Sequence, residues 1–79
     1  MPQPIETAPL VAVLRRRHDP HNGGWSYYVF STTAKDANAE SMRHCHMGWT
    51  RPDAEDACEE WNTRRAEFGF PPLAFRFDR

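Results

Sequence analysis

The stretch TRPDAEDACEEWNTRRAEFG, residues 50–69, carries a complete set of helix signals, and the rest of the chain is read around it. Thr50 suits an N-cap, where its hydroxyl accepts from a free N–H of the first turn, and Asp53 follows as a short capping-box acid. Pro52 falls in that first turn, where a missing N–H costs nothing. Gly69 offers a left-handed stop, and Pro71 and Pro72 prevent continuation. On a helical projection Ala54, Ala57, Cys58, Trp61 and Phe68 share one apolar arc. Arg65 lies in the same arc, so its stem is expected to cover apolar surface while the guanidinium reaches an edge. Trp61 is expected to be a core anchor, and its replacement by Ala to cost roughly 3–5 kcal/mol.

The opposite helix face collects Asp53, Glu55, Asp56, Glu59, Glu60 and Glu67. Acids in the first half and Arg64 and Arg65 near the end suit the helix dipole, and Glu60 and Arg64 are spaced for an i,i+4 pair. The acidic face has two readings. One is a solvated helix surface. The other is a contact surface for a basic partner, because the near-neutral total charge conceals a strong local field.

The chain has 79 residues and a formal net charge of −1, with an isoelectric point near 6.4. That length predicts one small α+β domain over residues 1–79, with a marginal core and a stability of roughly 4–12 kcal/mol. Trp25, Trp49 and Trp61 let a short chain bury more area per residue. The charge balance disfavours a general nucleic-acid binder, which is usually distinctly basic. No apolar run is long enough for a membrane span, and the lead after Met1 is polar and punctuated by prolines, unlike a signal peptide. The two cysteines make no disulfide framework, so a cytoplasmic setting is expected.

Residues 1–8 read as an extended arm. Leu10 to Leu14 suit a strand that runs on into Arg15, Arg16 and Arg17. HDPHNGG is a turn cluster with a strong hairpin signal at Asn22-Gly23. A second strand follows at residues 25–33, with Trp25, Tyr27 and Val29 on one side and Tyr28 and Phe30 on the other. Both sides are apolar, so the sheet is expected to expose aromatics on one face, as a docking surface or a dimer seam. Residues 34–40 read as a loop or a single helical turn. A third strand is expected at 41–47, placing Met42, His44 and His46 on one face and Cys45 on the other. Residues 73–77 alternate as a fourth strand, at an edge because prolines precede it. The expected fold is therefore a small antiparallel sheet, β-β-β-α-β, with one amphipathic helix on one face.

The run GWTRPDAEDACEEWNTRR resembles the restriction alleviation (Lar-like) family, small phage and prophage proteins with a T-x-x-x-A-x-x-x-W-N-x-R helix after a strand ending in Cys-x-x-Cys. Ala57, Trp61, Asn62 and Arg64 match the helix, and Cys45 matches the first cysteine. The resemblance covers about residues 43–65. Gly48 stands where the second cysteine belongs, and the family's N-terminal Cys-Pro-x-Cys knuckle is absent, so its zinc ribbon is not carried over. What the resemblance implies is a setting: a short phage-type protein, in the cytoplasm of a bacterial host, that interferes with a host defence complex.

His18, His21, His44, Cys45 and His46 are the candidate metal ligands, with the ends of the first and third strands expected at one edge so that His18 nears His46. Alternation turns His44 and His46 away from Cys45, and only one weak pair has ligand-like spacing, so no metal or other cofactor is expected. Cys58 falls in the apolar arc, where a thiol is unreactive. No phosphate-cradling glycine loop, G-x-S-x-G or H-E-x-x-H occurs, and a non-enzymatic chain is expected. The leading expectation is a stoichiometric inhibitor that binds a host restriction or CRISPR-Cas complex and blocks nucleic-acid access. Asp53, Asp56, Glu59 and Glu60 would make that contact as phosphate mimics. The alternatives are a regulator touching nucleic acid through Arg15, Arg16, Arg17, Tyr28 and Phe30, and a self-associating structural protein without a ligand.

Overall fold

The computed structural model describes residues 9–78; the arm expected at residues 1–8 lies outside them. The chain runs through β1 (Val11–Asp19), a 3-10 turn (Pro20–Asn22), β2 (Gly24–Thr32), α1 (Ala37–Met42), β3 (His46–Gly48), α2 (Arg51–Glu67) and β4 (Ala74–Asp78). The strands form one sheet in the order β3-β2-β1-β4. β1 pairs antiparallel with β2, and β2 with β3, but β4 runs parallel to β1.

The expected antiparallel β-β-β-α-β sheet with a single helix is therefore corrected to a mixed sheet with two separate helices. The parallel pair follows from counting reversals. β1 and β3 run in the same direction on either side of β2, and α2 carries the chain back across the sheet. β4 thus emerges in the direction of β3 and, beside β1, must lie parallel to it. A connection of this length through a helix is what a parallel pair needs.

The second helix, Ala37–Met42, starts in the segment expected to be a loop or a single helical turn and runs into the first residues of the strand expected at 41–47. Asp36 caps α1, its Oδ1 accepting from the Ala39 N–H at 2.8 Å, and Ala39 and Met42 turn inward at i,i+3 spacing. The apparent alternation of Met42, His44 and His46 came from this helical inward residue followed by a turn. His44 adopts a φ of 65°, which breaks any strand through the histidines. Only three residues, His46–Gly48, remain as β3.

The two ends of α2 match their signals. Thr50 Oγ1 accepts from the Asp53 N–H at 3.3 Å. At the other end Gly69 has a φ of 80°. The Gly69 N–H donates to Ala66 and the Phe70 N–H to Arg65 at 2.8 Å, the paired bonds of a Schellman stop.

One core cluster contains Ala12 and Leu14 of β1, Val29 of β2, Ala39 and Met42 of α1, and Ala54 and Cys58 of α2. Both helices therefore pack on the same face of the sheet, the face of Ala12, Leu14, Arg16 and His18 in β1. Trp61 packs against this cluster but is only half-buried, and Phe68 is 70% exposed. The expected anchor role of Trp61 is thus weaker than its position in the arc implied. The place is taken by Arg65, whose side chain is fully buried.

Candidate functional site

α2 is held from beneath. The Arg65 guanidinium makes a two-pronged contact with Asp36, Nη1 to Oδ1 and Nη2 to Oδ2, both at 2.9 Å. Its Nε donates to the Pro71 carbonyl at 2.8 Å. The expectation that this guanidinium would reach an edge is overturned, because a carboxylate from the α1 cap meets it inside. Asp36 is held below the ordinary carboxylate range, chiefly by its hydrogen bond from Arg65, with burial opposing. Asn62 adds a second clamp, donating to the Leu73 carbonyl at 3.0 Å and accepting from the Leu73 N–H at 2.9 Å. These contacts fix the helix against α1 and the entry to β4, so whatever α2 displays outward is displayed rigidly.

Outward, Asp53, Asp56, Glu59 and Glu60 are all exposed, as are Glu55 and Glu67. Glu60 meets Arg64 at 3.5 Å and Glu55 meets Arg51 at 3.0 Å. Among the described residues Asp53, Asp56 and Glu59 have no ion-pair partner. The row therefore offers carboxylates to a partner without first having to break strong internal pairs.

The three arginines of β1 are split by strand alternation. Arg15 and Arg17 lie on the sheet face that carries neither helix. The Arg15 guanidinium sits 3.6 Å over the Phe30 ring, and that of Arg17 4.0 Å over Tyr28. Phe30 is the extra residue of a β-bulge, since Val13 pairs with Ser31 but Leu14 with Val29. Tyr28 is 6% exposed. Its hydroxyl donates to Asp19 at 3.0 Å, and His46 meets its ring edge-on. The expectation of Tyr28 as an open stacking platform thus meets a ring already covered by Arg17 and His46. Arg16 turns to the helix face, beside Trp25, apart from its two neighbours.

The histidines and Cys45 are not gathered. His18 lies on the helix face against Trp25, whereas His46 lies on the other face between Tyr28 and Trp49. The expected approach of His18 to His46 is corrected, because β2 intervenes and the two rings sit on opposite sides of the sheet. No group of three or more His, Cys, Asp or Glu residues that could hold a metal ion occurs among the described residues. No described helix is long and apolar enough to cross a membrane.

Both cysteines are free. Burial, with a contribution from the nearby Glu55 carboxylate, pushes the Cys58 thiol up to about 12. The half-buried Cys45 donates its S–H to the Ser41 carbonyl at 3.1 Å. Alkylation of the native protein near neutral pH is therefore expected to modify Cys45 first, with Cys58 reacting only as fast as the chain opens. Equal rates at the two thiols, followed by peptide mass mapping, would contradict the packing of Cys58 on the inner face of α2.

Sequence reasoning missed Asp36 and Arg51. The spacing Asp36-x-x-Ala39 was legible as a cap, but its pairing with Arg65, 29 residues away, had no local signal. Arg51 is the first residue of α2 and stacks over Phe77 at 3.6 Å, a contact that only the placement of β4 creates. Comparison of the chain with protein-family models, with curated proteins and with solved structures gave no match.

Proposed function

We propose that the chain is a non-enzymatic binding module of the mobile-element kind, which docks on a bacterial restriction or CRISPR-Cas complex and blocks its access to nucleic acid. The observation that carries this reading is the outer face of α2, where Asp53, Asp56, Glu59 and Glu60 stand exposed on a helix clamped from below by Arg65 and Asn62. A groove built for phosphates offers Arg and Lys side chains, and a rigid row of carboxylates can take the same charge-assisted bonds. Rigidity matters because a pre-ordered helix loses little conformational entropy on docking. The resemblance of residues 43–65 to the restriction alleviation family supports the same setting.

The test is a plating assay in bacteria carrying a restriction or CRISPR-Cas system, challenged with a phage which that system targets. Expression of the chain is expected to restore plaque formation. The variant Asp56→Lys, Glu59→Lys, Glu60→Lys is expected to fold, since these side chains are exposed, and to lose the protection. A variant shown by circular dichroism to be folded that still protects fully would eliminate the charge-mimic mechanism.

A second reading rests on a different surface. Arg15 and Arg17 stand side by side in alternate positions on the helix-free sheet face, each layered on an aromatic ring, and their outer guanidinium edges suit phosphates. A gel shift with single- and double-stranded DNA at low salt separates the readings: the second expects retardation that Arg15→Ala and Arg17→Ala abolish, and the first expects no retardation that depends on those two arginines.

A further inference from the structure

On the helix face, where the end of the sheet meets the start of α2, a cleft of about 580 Å³ is lined by Arg16, Trp25, Tyr27, Arg51, Phe77 and Asp78. Its size falls within the range of about 300–1,000 Å³ usual for small-ligand sites. Its walls combine three aromatic rings with two guanidinium groups, and the state of those groups decides what the cleft can take. Arg16 has no ion-pair partner among the described residues; its guanidinium lies 5.5 Å from the Trp25 ring centre. Arg51 uses Nε for Glu55 at 3.0 Å and rests on Phe77, which leaves its two Nη groups without a hydrogen bond among the described residues. The one acid in the lining, Asp78, is already bound to Arg15 at 3.1 Å, so it does not cancel the two cations. Trp25 meets His18 edge-on yet remains 55% exposed, so much of its ring is open to a ligand.

We propose that this cleft binds a phosphorylated nucleoside, the base stacked on Trp25 and the phosphate held between Arg16 and Arg51. Planar rings recognise any base through its π-face, and arginine recognises phosphate through paired N–H donors. A simple anion would make no use of the aromatic walls, and a neutral aromatic would make no use of the two guanidinium groups. A free nucleotide and one unit of a single strand present the same chemistry to this cleft. The cleft shares no residue with the acidic row of α2, so it stands or falls independently of that row.

The experiment follows the Trp25 indole N–H resonance, assigned through Trp25→Phe, while the full chain is titrated with adenosine 5′-monophosphate. A saturable shift is expected, with adenosine and inorganic phosphate each much weaker. Arg16→Ala and Arg51→Ala are each expected to weaken binding by about ten- to a hundredfold, the worth of a charge-assisted hydrogen bond. Both side chains are exposed, so the variants retain the fold, which circular dichroism checks. A parallel titration with single-stranded oligoadenylate assigns the source: tighter binding than the mononucleotide points to a strand, equal or weaker binding to the free nucleotide. No saturable shift with either probe, or a shift that both arginine variants leave unchanged, overturns the proposal.

Discussion

Replacing Asp36 by alanine is expected to be among the most destabilising single changes in this chain. The substitution leaves the Arg65 guanidinium, whose side chain is fully buried, as a charge without its counter-ion. Breaking a buried pair in this way costs about 3–5 kcal/mol. It also removes the α1 cap that accepts the Ala39 N–H, worth about 1 kcal/mol more. Against a total of roughly 4–12 kcal/mol for a domain of this length, the variant is expected to be largely unfolded or to melt far below the parent. The double variant Asp36→Ser, Arg65→Met keeps a capping hydroxyl and fills the space with an apolar chain, and is expected to regain most of the loss. Urea denaturation followed by circular dichroism reads both. An Asp36→Ala protein as stable as the parent would mean that the guanidinium is not held inside.

The same pair sets a pH dependence. The Asp36 carboxyl is held below its ordinary range in the folded chain, first by the hydrogen bond from Arg65. A depressed carboxyl favours the fold above the pKa of the unfolded chain, and that contribution is lost as pH falls through the lowered native value. Stability is therefore expected to fall on acidification in the acid range, and this part of the fall should be missing from the double variant.

The second large effect is expected at Gly48. Its φ of 147° is a conformation that side chains rarely adopt, and a Cβ there would lie 2.7 Å from Asp53 Cβ and 3.0 Å from the Ala54 nitrogen. Gly48→Cys, which would create a Cys-x-x-Cys with Cys45, is expected to destabilise. Backbone strain contributes about 1–3 kcal/mol and overlap with the first turn of α2 about 1–3 kcal/mol more. Zinc is not expected to recover the loss, because Cys45 turns its thiol to the Ser41 carbonyl. A Gly48→Cys protein with an unchanged melting temperature, or one stabilised by zinc, would contradict this geometry.

What could be read from sequence divides along a physical line. Features encoded within one turn of chain were legible. The Thr50 cap and the Gly69 stop of α2 have their atoms within a few residues of each other, and the hairpin at Asn22-Gly23 is of the same kind. The acidic face and the Glu60–Arg64 pair followed from helical spacing alone. Features that depend on which elements meet were not. α1 has six residues, too short for a periodic pattern to separate it from a loop, and two histidines beyond it imitated strand alternation. The parallel placement of β4 depended on its choosing β1 as neighbour. Arg65 reads as an edge residue because its carboxylate comes from another helix, and Trp61 reads as a full anchor because an arc position does not say how far the opposing surface extends. Of the site, the acidic row was visible as composition, whereas the aromatic cleft at Arg16 and Arg51 exists only once β1, β2, β4 and α2 converge.

Under the proposed function α2 is a rigid display whose outward carboxylates engage a basic groove on a defence complex. This is tested most directly by measuring, over a salt series, the affinity of the chain for a purified restriction or CRISPR-Cas complex that the plating assay identifies as its target. Affinity is expected to fall steeply as salt rises, and the folded Asp56→Lys, Glu59→Lys, Glu60→Lys variant to bind at least about a hundredfold more weakly with the salt dependence lost. Binding by that variant with unchanged affinity and an unchanged salt dependence would contradict it.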